Sequence, residues 1–424
     1  MKDYFDKLPQ ELQDLIKLAS DIAGRSGMPA YLVGGFVRDL ILGVRNLDLD
    51  IVVEGDAIKF ASDFASCLKA KFITHRRFGT ATVFINHGLK IDFATARKET
   101  YPYPASLPQV TFGSLRDDLV RRDFTINAMA ASLNQGEFGK IIDLFNGRED
   151  LRNKLIRVLH DLSFIDDPTR LLRAVRFEQR YDFKIEPRTL KYLKEASRLK
   201  MLHKVHPQRV RDELILILQE SSPLKPVKRL CALCGLSFID TEMSFTKKTN
   251  AFLKAVQAQI AWFGKTHISR RKLDAWVMYF MALIEQLNIS RVRRLCRQFV
   301  FRKGEEKRFL DYKKIKRSLV LQLSRSHIKP SRLFWLLEPL SYEVILLLRA
   351  KYKDKALHRN IADFLRMYNG MRIDTTGEHL RQFGLTPGPL YQRILRRVLN
   401  AKLNGLVRTK EEELSLVKRI LKIK

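Results

Sequence analysis

The stretch 30-AYLVGGFVRDLILGVRNLDLDIVVEG-55 decides how the amino-terminal part of this chain is read. The apolar run Tyr31, Leu32 and Val33 ends in Gly34 and Gly35, and apolar positions then recur at helical spacing. The pattern predicts a strand, a tight Gly-Gly turn and a helix. Two glycines let the backbone approach a phosphate closely and offer amides at a helix start. Arg38 and Asp39 fall on the first turn of that helix. Further on, Asp48 and Asp50 alternate with Leu49 and Ile51. Residues two apart on a strand share a face, so both carboxylates are expected to project together. Such an oxygen-rich edge suits Mg2+, which is held by one or two carboxylates plus substrate phosphates. A DxD strand alone is ordinary solvated surface; the Gly-Gly turn at this spacing upstream is what singles it out.

Working outward, 80-TATVFI-85 and 89-LKIDFATA-96 read as further strands, and Asp92 on the second either completes a carboxylate cluster with Asp48 and Asp50 or is structural beside it. Residues 97–113 form a Pro-rich, Tyr-containing connection, with Arg97 and Tyr101 near its start; it reads as a mobile active-site loop or as a plain surface crossover. From about Asp143 the periodicity becomes helical with basic outer faces. The fold class is therefore α+β, a mixed-sheet head followed by an all-α neck, body and tail. Domains are expected at 1–142, 143–222, 223–350 and 351–424, with breaks at 221–226, near Gly304 and at 383–390.

The chain has 424 residues, enough for two to four packed units, and 46% hydrophobic with 29% charged residues is a globular composition. Lys and Arg total 78 against 46 Asp and Glu, a formal net charge of +32. That excess self-repels unless a polyanion offsets it, so nucleic acid is the first partner to consider and an anionic membrane surface the second. No apolar run approaches the roughly 18 residues of a membrane span. The start, MKDYFDKLPQ, lacks the apolar core of a signal peptide, so a cytoplasmic, non-membrane protein is expected. Cys67, Cys231, Cys234 and Cys296 are too scattered for a disulfide framework, and the one CxxC pair reads as core packing on an apolar helix. None of the nine histidines sits in a metal-ligand pattern.

The spacing from Gly34-Gly35 through Arg38-Asp39 to Asp48-x-Asp50 resembles the polymerase β nucleotidyltransferase superfamily, in the branch containing bacterial poly(A) polymerases and class II tRNA CCA-adding enzymes. The resemblance continues. 121-RRDFTINAMA-130 looks like that family's second motif, which implies that Arg121, Arg122, Asp123 and Asn127 bind the ribose and phosphates of an incoming nucleotide. 143-DLFNGREDL-151 is similar to the third motif, linking head and neck motions. 166-DDPTRLLRAVRF-177 is similar to the fourth and 209-RVRDELILIL-218 to the fifth, so all five stand in family order. By the resemblance a polymerase β-like head is expected, with Mg2+ on Asp48 and Asp50 and Asp92 as a third catalytic carboxylate.

In the fourth motif Asp167 and Arg170 lie three apart and are expected on one helix, facing a nucleobase together. A carboxylate accepts from the amino group of cytosine or adenine while a guanidinium donates to the ring edge; uracil and guanine present the wrong pattern. In the class II family this pair selects CTP and then ATP, and Arg173 follows on the same face. The family pattern is Glu-Asp-x-x-Arg, and here Asp166 stands at the first position. The resemblance implies addition of CCA, or part of it, to tRNA 3′ ends from CTP and ATP without a nucleic-acid template. Addition of the terminal A alone ranks second, then poly(A) synthesis, then CC addition, which the 97–113 element disfavours. A non-catalytic RNA-binding protein is set aside because the carboxylates and Arg121-Arg122-Asp123 are intact. The basic helices and the segment 376-TGEHLRQFGLTPGPLYQRIL-395 are expected to grip the tRNA acceptor end and elbow.

Overall fold

A computed structural model describes residues 2–44, 48–85, 88–266 and 272–422. The chain divides into two compact units, Met1–Phe238 and Ile239–Lys424.

In the first unit a short helix α1 (Lys2–Phe5) precedes α2 (Gln10–Ser26), whose Leu12, Leu15, Ile16, Ala19 and Ile22 recur at helical spacing and are buried. Then follow β1 (Ala30–Val33), α3 (Gly35–Leu42), β2 (Leu49–Val53) and α4 (Ala57–Leu68). The Asp56 carboxylate caps α4 by accepting from the amides of Ile58 and Lys59. Next come β3 (Lys71–His75), β4 (Thr80–Phe84), β5 (Lys90–Thr95), β6 (Arg97–Thr100), β7 (Gln109–Phe112), α5 (Leu115–Val120), β8 (Met129–Ser132) and β9 (Ile141–Asp143). The main sheet has the order β3-β4-β5-β2-β1-β8-β9, with β2 and β5 parallel and every other neighbouring pair antiparallel.

On one face of this sheet α4 packs Phe60 and Phe64 against Phe93, with ring centroids 5.7 and 5.2 Å apart. Burying each such side chain contributes about 2 to 3 kcal/mol. The other face is covered only in part. Leu115 and Leu119 of α5 pack on Tyr31, Val33, Val52 and Ala130, so α5 shields β1, β2 and β8.

The connection 97–113 is strand at both ends and irregular between them, over 101–108. β6 and β7 pair antiparallel in register from Arg97↔Phe112 to Thr100↔Gln109, forming a separate ribbon. The prolines that suggested irregular backbone fall between the strands, where no ladder amide is needed.

Helices then take over: α6 (Gly147–Arg152), α7 (Ser163–Asp166), α8 (Thr169–Tyr181), α9 (Pro187–Arg198), α10 (Pro207–Leu218) and α11 (Leu224–Cys234). The expected boundary at 142/143 cuts β9, and that at 222/223 separates α11 from α8, although the Arg229 guanidinium of α11 donates to both carboxylate oxygens of Glu178 on α8. The first compact unit therefore takes in α11 along with head and neck, through contacts invisible in local pattern. Cys231 and Cys234 lie on α11, and burial pushes their thiols up to about 12 and about 11.

The second unit is helical. The 350/351 boundary falls within the helix Tyr342–Lys351, and the break expected near Gly304 is instead the start of the helix Lys303–Lys313, where the Glu305 carboxylate accepts from the Arg302 amide. No helix among the described residues is long and apolar enough to cross a membrane.

Candidate active site

The strand-to-helix turn after β1 sets one wall. Gly34 has φ +69°, a conformation L side chains rarely adopt, and a Cβ there would sit 2.6 Å from a terminal nitrogen of the Arg122 guanidinium. Glycine is therefore needed both for the turn and for Arg122 to lie across it. On the helix that follows, Arg38 is buried: its Nε donates to Asp39 at 2.8 Å and a terminal nitrogen donates to the Asn127 side-chain oxygen at 2.6 Å. Asn127 in turn donates to Asp123 at 2.9 Å. The other Asp123 oxygen accepts from Arg173 at 2.8 Å. Burial alone would raise the Asp123 carboxyl, but the Arg173 charge and the Asn127 and Arg173 hydrogen bonds outweigh it and hold its pKa at about 2. The head residues Arg38, Asp123 and Asn127 and the neck residue Arg173 thus form one fixed network, which Arg173 extends to Glu213 on α10 at 2.9 Å.

Arg121 and Arg122 stand at the end of α5 and share one anchor. The Asp118 carboxylate, fully buried, accepts from Arg121 at 2.5 Å and from Arg122 at 2.8 Å. The sequence reading missed Asp118, although its position three and four residues before the two arginines on a helix is a detectable charge pattern. Arg121 also reaches Glu99 at 3.2 Å. Glu99 binds Arg97 at 2.8 Å and accepts from the Tyr101 hydroxyl at 3.0 Å, so the β6–β7 ribbon is joined to the Arg-Arg-Asp segment. Burial, and then the Glu99 charge, raise the Tyr101 pKa and keep that hydroxyl a donor.

Asp48 and Asp50 meet in the same cavity, but Asp48 lies just ahead of β2 and its side chain is 62% exposed, while Asp50 is on the strand. Asp50 is pushed up to about 6 by burial and by the Asp48 charge, despite Arg122. Asp92 pairs with Asp50 in register on β5. Its oxygens accept from Thr82 at 2.5 Å and from the Lys90 ammonium at 2.7 Å, and Lys90 also lies 3.4 Å from Asp48. Among the described residues no group of three His, Cys, Asp or Glu is arranged to hold a metal. The donor set still fits Mg2+: two hard carboxylates meet in the cavity, and an ammonium already sits against Asp48 and Asp92 as a cation would. Two protein carboxylates with substrate phosphates suffice for this ion.

The fourth motif differs from expectation. Asp167 is not on the helix with Arg170; it sits between α7 and α8, where its carboxylate accepts from the Thr169 amide at 3.0 Å and hydroxyl at 2.6 Å. Pro168 stops α7 and Asp167 starts α8 in a capping role. The same oxygen binds Arg209 of α10 at 2.8 Å. Arg170, buried, donates to the Ser163 hydroxyl and to the Arg121 carbonyl, both at 2.6 Å. Asp166 faces His160 at 3.9 Å, and Arg170 is held by Ser163 and the Arg121 carbonyl. Nothing in the local sequence pattern marks Ser163 or Arg209 for these contacts.

Gly34, Gly35, Arg38, Asp48, Asp50, Arg97, Tyr101, Arg121, Arg122, Asp123, Asn127, Asp167, Arg170 and Arg173 all line one open cavity of about 740 Å³. Asp92 does not line it; it lines an adjoining cavity with Asp50. The main cavity also takes in Arg176, Phe177, Arg180 and Tyr181 of α8, none of them singled out beforehand. The Arg38 guanidinium lies 4.7 Å from the Tyr181 ring centroid and 5.4 Å from that of Phe177, stacked between head and neck. The third motif performs a similar join: the Asp150 carboxylate accepts from the Thr125 hydroxyl of the head at 2.6 Å and from Arg157 of the neck at 3.0 Å.

Residues 30–157 match the Poly A polymerase head domain, and residues 182–235 match the probable RNA and SrmB-binding site of polymerase A. The chain is 37% identical over 415 residues to an A-adding tRNA nucleotidyltransferase of Geobacter sulfurreducens, covering 96% of this chain and 46% of that one. It therefore spans about half the length of that relative. It is 32% identical to the A-adding tRNA nucleotidyltransferase of Halalkalibacterium halodurans, covering 95% of this chain and 91% of that protein. The Thermotoga maritima CCA-adding enzyme complexed with tRNA_CCA superposes with a TM-score of 0.73 at 33% identity, covering 99% of this chain and 98% of that one. With the head, neck and cavity arranged as above, the chain belongs to the tRNA nucleotidyltransferase family, built on a head domain of the poly(A) polymerase type.

Proposed function

We propose that this protein extends tRNA 3′ ends without a nucleic-acid template, using CTP and ATP, and that its product is CCA or the part of it that includes the terminal A. The observation that carries the reading is the meeting, in one cavity, of a Gly-Gly turn, a pair of carboxylates, the Arg121-Arg122-Asp123 segment and the Asp167 and Arg170 side chains. The RNA 3′ hydroxyl attacks the nucleotide α-phosphate and pyrophosphate leaves. Asp48 and Asp50 would hold Mg2+, which when bound supplies charge neutralisation at the reacting phosphate. The amides of Gly34 and Gly35, with Arg122, offer donors to the triphosphate. Arg121, Asp123 and Asn127 position the ribose, and Asp123 stays ionised at any working pH because Arg173 holds its pKa near 2. Asp167 keeps one oxygen outside its capping contacts for a base amino group, while Arg170 is aligned by Ser163 and the Arg121 carbonyl.

Partners are the tRNA acceptor end and, through the helical body and tail, the elbow; the place of action is the cytoplasm. A second reading, addition of the terminal A alone, is favoured by the two A-adding relatives that match nearly the whole chain. The test uses tRNAs ending before CCA, after C and after CC, with labelled CTP or ATP. Incorporation of CTP on the first two supports full CCA addition. ATP incorporation only after CC supports the A-only reading, and no incorporation on any of the three removes both.

A further inference from the structure

β2 and β5 run parallel with Asp50 opposite Asp92, so the residues two positions earlier in the chain, Asp48 and Lys90, fall on the face of that pair. Leu49 and Ile91, which alternate with them, are buried. The arrangement is a square with carboxylates at three corners and an ammonium at the fourth.

Lys90 closes on two of those carboxylates. Its ammonium lies 2.7 Å from an Asp92 oxygen and 3.4 Å from an Asp48 oxygen. The other Asp92 oxygen accepts from the Thr82 hydroxyl at 2.5 Å, which fixes the carboxylate that Lys90 meets. The Lys90 side chain is 47% exposed, so its charge stays hydrated and is carried to the cluster on a long stem rather than buried with it. Arg122 lines both cavities beside Asp50 but is bound to Asp118 at 2.8 Å, whereas Lys90 is bound to the cluster itself.

A positive charge at that corner acts with opposite sign on two incoming species. It repels a free divalent cation. It attracts a divalent cation already bound to a nucleoside triphosphate, because that complex is a net anion. A neutral residue or a fourth carboxylate there would favour the free cation instead.

We propose that Lys90 is a tethered counter-ion that sets the order of loading: it weakens the hold of Asp48 and Asp50 on a free divalent cation and favours the cation that arrives on a nucleotide. This inference rests on the metal assignment in the function proposed above. Its consequence is that the metal enters together with the substrate, and a state loaded with metal alone is disfavoured. A purely structural ion pair would act differently, changing stability but not the contrast between these two ligands.

The experiment uses Mn2+ as the probe, with the full chain, and measures free Mn2+ by electron paramagnetic resonance with and without a non-hydrolysable ATP analogue. Ions that are lost in Asp50→Asn belong to the cluster. Removing the charge in Lys90→Met or Lys90→Gln should tighten binding of free Mn2+ roughly tenfold, the scale of a unit charge opposing a double one at ion-pair range under water-like screening. Both variants should bind the Mn2+–nucleotide complex equally or more weakly. Lys90→Arg keeps the charge and should stay within about twofold of the unmodified protein for both ligands. Circular dichroism should show that all variants are folded. An unchanged affinity for free Mn2+ in the folded neutral variants, an equal gain for free and nucleotide-borne Mn2+, or a Lys90→Arg protein that behaves like Lys90→Met would each overturn the proposal. If the unmodified protein and Asp50→Asn bind nucleotide-borne Mn2+ alike, the metal assignment fails and takes this inference with it. That result is distinct from an Asp50-dependent ion whose affinity Lys90 does not alter, which leaves the assignment standing and defeats only the proposal.

Discussion

Replacing Asp50 by Asn should make the metal-free protein more stable, because the structure keeps that carboxylate where its charge is unfavourable. Burial, and then the Asp48 charge, raise its pKa from 3.8 to about 6. A difference of about two, at about 1.4 kcal/mol each, corresponds to at most about 3 kcal/mol. The direction follows from proton binding. The folded state holds this proton more tightly than the unfolded chain does, so folding gains from it below pH 4 and loses that gain as pH rises through about 6. Asn carries no charge at any pH. The two proteins should therefore match near pH 4, and Asp50→Asn should lead by up to about 3 kcal/mol at pH 7.5 in chelator-treated buffer. Hydrogen exchange of the β2 amides is the suitable readout, since Trp262, Trp276 and Trp335 all lie in the second unit and their fluorescence serves as a control that should not move. Millimolar Mg2+ with nucleotide should narrow the gap by offsetting the charge in the unmodified protein, and transfer by the variant should be abolished. A variant that is no more stable at pH 7.5, or a gap that does not change with pH, would refute the reasoning.

Gly34→Ala should reduce transfer at least tenfold and destabilise by roughly 1 to 2 kcal/mol, from the left-handed backbone and the displaced Arg122; steady-state kinetics and thermal melting check both. Asp118→Ala leaves two guanidinium groups without their buried anchor and should destabilise by roughly 3 kcal/mol, with a weakened affinity for ATP measured by calorimetry. Arg170→Ala should relax nucleotide choice, so that UTP and GTP gain on CTP and ATP by roughly tenfold in incorporation ratio, as loss of one base contact of about 1 to 3 kcal/mol requires; equal loss for all four nucleotides would mean that Arg170 serves only Ser163 and the Arg121 carbonyl. Binding of tRNA should fall steeply with salt, because a chain of net charge +32 releases counterions from several phosphates; a flat response in filter binding would point to another partner.

The residues proposed to touch substrates were largely legible in one dimension, because chemistry restricts residue type at fixed short spacing. Gly34 and Gly35, Asp48 and Asp50, and Arg121 to Asp123 each lie within a few residues of one another on an element whose period could be read. So did the change from strand to helix after Asp143. What aims those residues was not legible. Asp118 under the two arginines, Ser163 behind Arg170, Arg209 on Asp167 and Glu213 on Arg173 act across folded distances, where a single Ser or Glu in a helical segment carries no signal of its own. Pro-rich residues 97–113 looked irregular, yet their ends pair as β6 and β7, because pairing depends on a partner strand and not on local propensity alone. Asp167 left the helix for the same kind of reason: Pro168 forbids α7 from continuing, and the Thr169 amide at the start of α8 needed an acceptor. The sequence by itself determined the chemistry, since oxygen ligands, phosphate-binding turns and guanidinium groups must be present as residue types. Only the tertiary structure decided how that chemistry is aimed, since burial and long-range hydrogen bonds set each side chain's direction and charge, down to the raised pKa of Asp50.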